Sequence, residues 1–572
     1  MKKEFFMKQM PLNQSKLYIN FRELVEDIAL TYGDRIAYSF RHSPKDAEIQ
    51  QISYAQLAED VRCLSTALIS RGVHKGHTAL IGKLSYGWVC SYLALLSAGA
   101  VAVPLDPDWT EEDLAKTAAI AECKSLFCAE ELLETKAREI CDKAGIDCLM
   151  SLEPSNSSHS ISAWIESGRE RRAEGDRTYE NARIAPDALA LLVFTSGTTG
   201  KGKGVMLSQT ALLTNIYAGL QLISVGDRSI SVLPPHHTFG STINLLGNLL
   251  VGSNVYITSG IKYLMKEMQE HQPTHLILVP LFLESFYRKI MDTLKKSKKE
   301  KMMNRLIGVS NVARKARIDL RKQLFAAVRK AFGGRLNTVI CGGAPINQSV
   351  VDFFQALGIT VINGYGITEC APLIAANRND GTKNSRCGYP VSAATVKIKN
   401  PDGNGEGEII VKGACVMMGY YKDPEATAAA FDNDGYFLTG DYGKFDENGY
   451  LYITGRKKNL IILSNGKNVY PEEIELDLAS RIPGLLDVVV YEGISKRGQE
   501  HNAVVAEVFY DAAFLQREGI QDVHAYTRTH INDYNKTAVP YKKIGIFKIR
   551  EEEFPKNTLR KIMRFRIDKT ID

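Results

Sequence analysis

At 572 residues, with 45% hydrophobic and 24% charged side chains, the chain has material for several cores and none of the bias of a disordered or fibrous protein. The 71 lysines and arginines against 65 acids leave a net charge of +6, which admits anionic partners without pointing to nucleic acid. Ten cysteines form no C-x-x-C and have no histidines at zinc-ligand spacing, so zinc modules are excluded and reduced thiols are expected.

The start, Met1-Lys2-Lys3-Glu4-Phe5-Phe6, lacks the apolar core of a signal peptide, and the most apolar stretch, Tyr92 to Leu105, is too short for a membrane span. A cytoplasmic protein is expected. Residues 20 to 150 alternate amphipathic helical patterns with apolar runs. Tyr54-Ala55-Gln56-Leu57 opens a helix, Thr78 to Ile81 reads as a strand, and Gly99 to Pro104 as another. That alternation predicts an α/β layer on a largely parallel sheet. Residues 151 to 183 are polar and read as a surface connection.

Ala188 to Phe194 has strand length and leads into Thr195-Ser196-Gly197-Thr198-Thr199-Gly200-Lys201-Gly202-Lys203-Gly204. Glycines let backbone N–H groups turn toward one point, hydroxyls add donors, and lysines add charge, which together suit a polyphosphate. A plain flexible loop is the alternative. Gly197, Gly202 and Lys203 also fit the opening of a P-loop, G-x-x-x-x-G-K-[ST]. Gly204 then stands where a metal-binding hydroxyl is needed, and Val205-Met206-Leu207 reads as a strand rather than a helix, so that match is weak.

Pro234-Pro235-His236-His237-Thr238-Phe239-Gly240 follows; its histidines are either packed or chemical, and no acid is near in sequence for a metal site. From Arg288 to Lys330 the chain is basic, with Leu320, Leu324, Phe325 and Val328 at helical spacing. A solvated helical face and a contact with an anionic membrane surface both fit this region. Leu336 to Cys341 reads as a strand entering Gly342-Gly343-Ala344-Pro345, and a helix follows from Gln348 to Leu357. Thr360-Val361-Ile362 then enters Asn363-Gly364-Tyr365-Gly366-Ile367-Thr368-Glu369. Two such strand-to-loop transitions suit a nucleotide site at the carboxyl edge of a parallel sheet.

Residues 396 to 455 read as β-hairpins, with turns at Asp402-Gly403, Asp434-Gly435 and Asn448-Gly449, and they carry Thr439-Gly440-Asp441. After Gly455-Arg456-Lys457-Lys458-Asn459 comes a fresh strand, Leu460 to Leu463, and then Pro471-Glu472-Glu473 opens a helix. The remainder reads as a compact α+β unit of about a hundred residues. A boundary at Lys458 divides the chain into residues 1–457 and 458–572. The tail, Pro555-Lys556-Asn557-Thr558-Leu559-Arg560-Lys561-Ile562, is basic.

In this order, these stretches resemble the adenylate-forming superfamily of acyl-CoA synthetases, peptide-synthetase adenylation domains and luciferases. Thr195 to Val205 is similar to its phosphate loop, Pro234 to Gly240 to its histidine motif, and Tyr365 to Glu369 to its Tyr-Gly-x-Thr-Glu motif. The resemblance covers residues 20 to 565 and implies an α/β fold: a large N-terminal domain of several subdomains with mostly parallel sheets and a β-rich subdomain, plus a small mobile α+β C-terminal domain. It implies a ligase that joins a carboxylate to AMP and then to a thiol, with ATP, Mg²⁺ and CoA as cofactors.

The resemblance also assigns roles. Thr195, Ser196, Gly197, Thr198, Thr199, Gly200 and Lys203 would hold phosphates, Thr368 would contact the α-phosphate, and Glu369 would bind Mg²⁺. Tyr365 and Gly366, beside Gly343, Ala344 and Pro345, would receive adenine, with Asn363 accepting from its amino group. Asp441 would take the ribose hydroxyls, with Arg456 nearby, and His237 would lie by the acyl carboxylate. Lys561 would bridge carboxylate and α-phosphate, Lys458 would be the hinge, and Gly466 would serve the CoA step. Three departures stand out: Gly202 for a usual proline, Asn459 for a common aspartate, and Leu559-Arg560 for a frequent Ser-Gly.

Residues 279 to 345 resemble the long-chain fatty acyl-CoA synthetases, through Val279-Pro280, an aromatic-rich helix and the basic insert. The expected substrates are a medium- to long-chain fatty acid and CoA, with an acyl-carrier protein as the alternative acceptor and no nucleic acid.

Overall fold

The computed structural model describes residues 11–13, 15–195, 202–379, 388–463, 468–494, 503–556 and 562–571. His77–Ile81 lies inside a seven-stranded sheet, paired in parallel with Val101–Leu105 on one side and Cys123–Cys128 on the other. Leu189–Thr195 joins in parallel beyond Val101–Leu105, and then Lys203–Ser208 turns back antiparallel to it. Gly419–Tyr420 pairs with Lys203–Ser208 and closes that edge. The sheet is thus parallel within and antiparallel at one margin. Strands buried on both faces carry continuous apolar runs, and every residue of Val101–Leu105 is buried.

Helix Tyr54–Ser70 begins where the Ser53 hydroxyl accepts from the Gln56 N–H at 3.1 Å. Residues 151 to 183 correct the surface-connection reading. Helix Ile161–Ala173 forms there and docks through Ile161, Trp164 and Gly168, all buried. Its polar composition concealed the contact because the close approach depends on a missing side chain. A Cβ at Gly168 would stand 1.8 Å from the Cys63 carbonyl oxygen.

The second large sheet has the order His275–Leu278, Thr338–Gly342, Thr360–Gly366, Leu373–Ala376, Tyr389–Pro390. Its first three strands are parallel and the last two antiparallel. A smaller sheet combines Gln50–Ser53, Ile36–Phe40, Asn254–Ile257 and Arg228–Ser231. Thr395–Lys399, Gly407–Lys412, Phe437–Phe445 and Leu451–Arg456 form the antiparallel β-rich sheet. Its hairpins at Asp434-Gly435 and Asn448-Gly449 fall where expected; in the first hairpin the left-handed residue is Gly405, at φ 77°, rather than Gly403.

The basic region divides. Arg329 is buried and donates to the carbonyls of Leu336, Leu357 and Gly358, while Arg321 pairs with Asp319. Phe325 is buried in the core under them, so the apolar positions at 324–328 are structural. Helix Pro280–Lys296 faces the C-terminal domain through Asp292–Arg517 at 3.1 Å and Lys295–Glu518 at 3.7 Å. Helix Glu300–Lys315 leaves Met302, Val309 and Val312 exposed.

The C-terminal domain packs Pro471–Arg481 and Val523–Thr537 on a sheet in which Leu485–Glu492 and Val504–Tyr510 are antiparallel and Ile546–Arg550 is parallel to the second. Helix Pro471–Arg481 has proline in its first turn and Glu472 and Glu473 beside it, as its sequence implied. No helix among the described residues is long and apolar enough to cross a membrane. Nine cysteines in the described residues are free thiols, eight of them buried.

Candidate active site

Five parallel strands deliver their carboxyl ends to one cavity of about 900 Å³: Pro104 and Asp106, Phe194 and Thr195, Val279, Cys341 to Gly343, and Gly364 to Glu369 all line it. Ligands gather at such strand ends in open α/β sheets because the chain there turns away and leaves backbone groups and loop side chains facing a crevice. The β-rich sheet adds Thr439, Gly440, Asp441 and Arg456 to one wall.

On that wall the Tyr365 hydroxyl donates to Asp441 Oδ2 at 2.7 Å, and Arg456 Nε lies 3.3 Å from Oδ1. Asp441 and Arg456 are cross-strand partners, which fixes that pair through sheet register. The Thr439 hydroxyl accepts from the Asp441 N–H and donates to the Ile409 carbonyl. Burial, then the Asp441 carboxylate, push the Tyr365 phenol well above its ordinary range, so it stays a donor. Next to it the chain passes so tightly that a Cβ on Gly366 would sit 2.1 Å from the Pro372 carbonyl oxygen. Only glycine fits there.

Thr368 and Glu369 follow at the start of a short 3₁₀ turn and line the same cavity. Glu369 Oε1 accepts from the Tyr420 hydroxyl at 3.0 Å. Lys203 opens the strand after the glycine-rich loop and holds its ammonium 4.6 Å from the centre of the Tyr420 ring. Opposite, His237 lines the cavity with its ring centre 4.3 Å from that of His236. His236 is buried, and its Nε2 lies 3.4 Å from Asp106 Oδ2, an ion-pair distance without hydrogen-bond geometry. The acid missing from the neighbouring sequence therefore arrives from another strand of the fold.

The C-terminal domain supplies the remaining wall. Lys458 lines the cavity together with Lys457, and loss of hydration followed by Arg456 lowers its ammonium pKa. Asn459 donates to Glu472 at 2.6 Å, so the residue that departs from the family pattern ties the short turn Lys457–Asn459 to the first C-terminal helix. Lys556, Met563 and Arg566 also line the cavity, and Lys556 is held by Asp487 and Glu553, each at 2.7 Å.

The cavity thus gathers Thr195, His237, Gly343, Tyr365, Gly366, Thr368, Glu369, Asp441, Arg456 and Lys458. Ala344 and Pro345 lie exposed just beyond Gly343, and Asn363 is buried in the strand behind Tyr365. Ser196, Gly197, Thr198, Thr199, Gly200, Gly466 and Lys561 lie outside the described residues. Sequence reasoning missed Asp106, His236 as its partner, Tyr420, Lys556 and Arg566. His236 stands in the Pro234–Gly240 motif, but its partner Asp106, like Tyr420, is marked by no glycine-rich run or motif; only the fold brings those two in.

The far end of the cavity is apolar: Ile223, Phe239, Ile243, Val279, Ile340 and Leu373 line it and pack with a buried cluster. No group of three acids, histidines or cysteines able to hold a metal occurs among the described residues. A single carboxylate, Glu369, with one oxygen engaged by a hydroxyl, fits a magnesium ion that arrives on a polyphosphate and keeps mostly phosphate and water ligands. Such a cavity suits a ligand with an anionic part, set among cationic side chains, and an apolar part.

Comparison with known proteins identifies the family. Residues 25–421 match the family of AMP-binding enzymes. The chain is 30% identical over 502 residues to long-chain-fatty-acid–CoA ligase 5 of Rattus norvegicus, spanning 82% of this chain and 73% of that one. It is 27% identical over 518 residues to the chloroplastic long-chain-fatty-acid–[acyl-carrier-protein] ligase AEE15 of Arabidopsis thaliana, spanning 78% and 71%. The crystal structure of ATP-bound MatB from Rhodopseudomonas palustris superposes with a TM-score of 0.73 at 25% identity over 95% of this chain and 97% of that one. The chain therefore belongs to the AMP-binding enzyme family and is an adenylate-forming acyl ligase.

Proposed function

We propose that the enzyme activates a medium- to long-chain fatty acid with ATP, forming acyl-AMP and pyrophosphate, and then transfers the acyl group to CoA. One observation carries this reading: the polar nucleotide wall and the apolar end belong to the same cavity, with His237 lining it too. A fatty acid has that division, an anionic head to be activated and an apolar tail to be buried. ATP and CoA suit the family, and Mg²⁺ enters with the nucleotide.

In this reading Tyr365 and Gly366 receive adenine beside Gly343, Asp441 accepts from the ribose, and Thr195, Thr368 and Lys203 face the phosphates. Carboxylate and triphosphate repel each other, so cationic groups lower the barrier to their approach. Lys561 bears the charge that builds between them. Lys556 and Met563, which flank it in sequence, line the cavity, which supports that placement. Lys458 is the hinge about which residues 458–572 exchange Lys561 for the Gly466 face before thiol attack.

The helix Glu300–Lys315 is the part of the basic region proposed to rest on an anionic membrane surface. Met302, Val309 and Val312 are exposed there, beside Lys301, Arg305, Arg314 and Lys315.

Purified enzyme given ATP, Mg²⁺, CoA and carboxylates from short to long chain tests the activity. AMP release with the longer acids supports it, and no AMP with any fatty acid overturns it. Acyl-AMP that builds up with CoA untouched but is consumed by an acyl-carrier protein would favour the second acceptor, which the likeness to the acyl-carrier-protein ligase keeps in view.

A further inference from the structure

The segment from Met417 to Tyr421 touches two parts of the site that the sequence keeps far apart. The Met417 N–H donates to the Glu369 carbonyl at 2.8 Å, while the Met418 and Tyr421 N–H groups donate to Met206 at 2.9 Å and Gly204 at 2.7 Å. It is a strap between the turn that carries Glu369 and the strand that follows the glycine-rich loop. Tyr420 sits within it, 9% exposed, its hydroxyl on Glu369 and its ring under the Lys203 ammonium.

We propose that Tyr420 is a positioning residue for adenylation, which fixes the Glu369 carboxylate for the incoming magnesium–ATP and couples it to Lys203. The proposal rests on the reading of Glu369 as the carboxylate that faces the metal.

A glutamate has three side-chain torsions, and holding one oxygen settles where the other points before the ligand arrives, so less ordering is left for binding. The phenol is a suitable holder. Its hydroxyl donates to one carboxylate oxygen at 3.0 Å and leaves the negative charge for the metal. Lys203 is treated in a matching way. An aromatic face attracts an ammonium without neutralising it, whereas a carboxylate partner would cancel the charge that a phosphate needs. Thus a single ring keeps an anion and a cation near each other yet both available. Tyr420 is placed for this by its pairing with Val205 in the sheet, not by a loop.

Tyr420→Phe removes only the hydroxyl, and Tyr420→Leu removes the ring as well. Pyrophosphate exchange into ATP, titrated with Mg²⁺ at fixed ATP, reads the adenylation half. Tyr420→Phe is expected to raise the half-maximal Mg²⁺ concentration roughly tenfold, the size of one lost hydrogen bond to a charged group. Manganese–ATP binding measured calorimetrically should weaken in parallel, while thioester formation from supplied acyl-AMP and CoA stays unchanged. Tyr420→Leu should in addition weaken ATP binding at saturating metal, through Lys203. Equal loss in both half-reactions with an unaltered metal dependence would mean that Tyr420 only supports the fold, and overturns the proposal. Glu369→Gln separates the two readings. If it leaves the metal dependence untouched, the assignment of Glu369 fails and this proposal with it; if it shifts the dependence and Tyr420→Phe does not, the coupling alone fails.

Discussion

Tyr365 and Asp441 meet at 2.7 Å, from the second large sheet and the β-rich sheet, and their hydrogen bond closes one wall of the cavity. Asp441→Ala would leave a buried phenol hydroxyl without its acceptor and Arg456 without its cross-strand partner. A buried donor left unsatisfied costs about 1–3 kcal/mol. The KM for ATP is expected to rise about tenfold or more, with the KM for the fatty acid nearly unchanged. Steady-state kinetics with each substrate varied in turn checks this.

The stability of the fold around helix Pro280–Lys296 should depend on pH through Glu284. Burial pushes its carboxyl from 4.5 up to about 7, opposed by Arg288 and the Asn347 N–H, with repulsion from Asp487 of the C-terminal domain adding to the rise. A carboxyl with a higher pKa in the folded state holds its proton more tightly there. Its contribution is therefore complete below about 4.5 and is lost as pH rises through about 7. The thermal transition should fall as pH rises across that window, and Glu284→Gln should flatten the dependence.

Gly168 offers a test of the fold. With the Cys63 carbonyl 1.8 Å from any added Cβ, Gly168→Val must push the Ile161–Ala173 helix off its neighbour. Overpacking of this kind costs about 1–3 kcal/mol, and the thermal transition of the N-terminal domain should fall accordingly. An unchanged transition would show that the helix is free to shift.

Val279→Phe or Ile243→Trp would fill the apolar end of the cavity. Activity with the longest acids is expected to drop about a hundredfold, since overfilling costs about 1–3 kcal/mol, while short acids are spared. A uniform loss across chain lengths would place the tail elsewhere.

Co-sedimentation with vesicles tests the exposed helix. Binding to vesicles containing anionic phosphatidylglycerol and its absence with neutral phosphatidylcholine are expected. The double change Arg305→Glu and Val309→Asp should abolish that binding without altering activity on dissolved acids.

The sequence made the element order readable wherever periodicity was strong: helices Tyr54–Ser70 and Pro471–Arg481 open where expected, and strand Thr338–Gly342 lies within two residues of its expected bounds. The second sheet and its two strand ends were legible for the same reason. The Ile161–Ala173 helix was not, since its anchor is a glycine among charges. Asp106 with His236, and Tyr420 with Glu369, were invisible because each joins strands far apart in the chain. Such pairs depend on sheet order, which local pattern does not encode.

Thr195 pairs with Lys203, and the chain then continues as a strand to Ser208 before helix Gln209–Leu222 begins. A group bound beside Thr195 and Lys203 is therefore set apart from the positive end of that helix, equivalent to about half a unit charge. The hydroxyl of Ser208 caps that helix at 3.1 Å instead, inside the protein. Grip on a phosphate there would come from side chains such as the Lys203 ammonium, a clasp rather than a permanent field. After the nucleotide is cleaved such a clasp opens readily, and pyrophosphate should depart quickly enough that the first half-reaction is pulled forward by loss of its product.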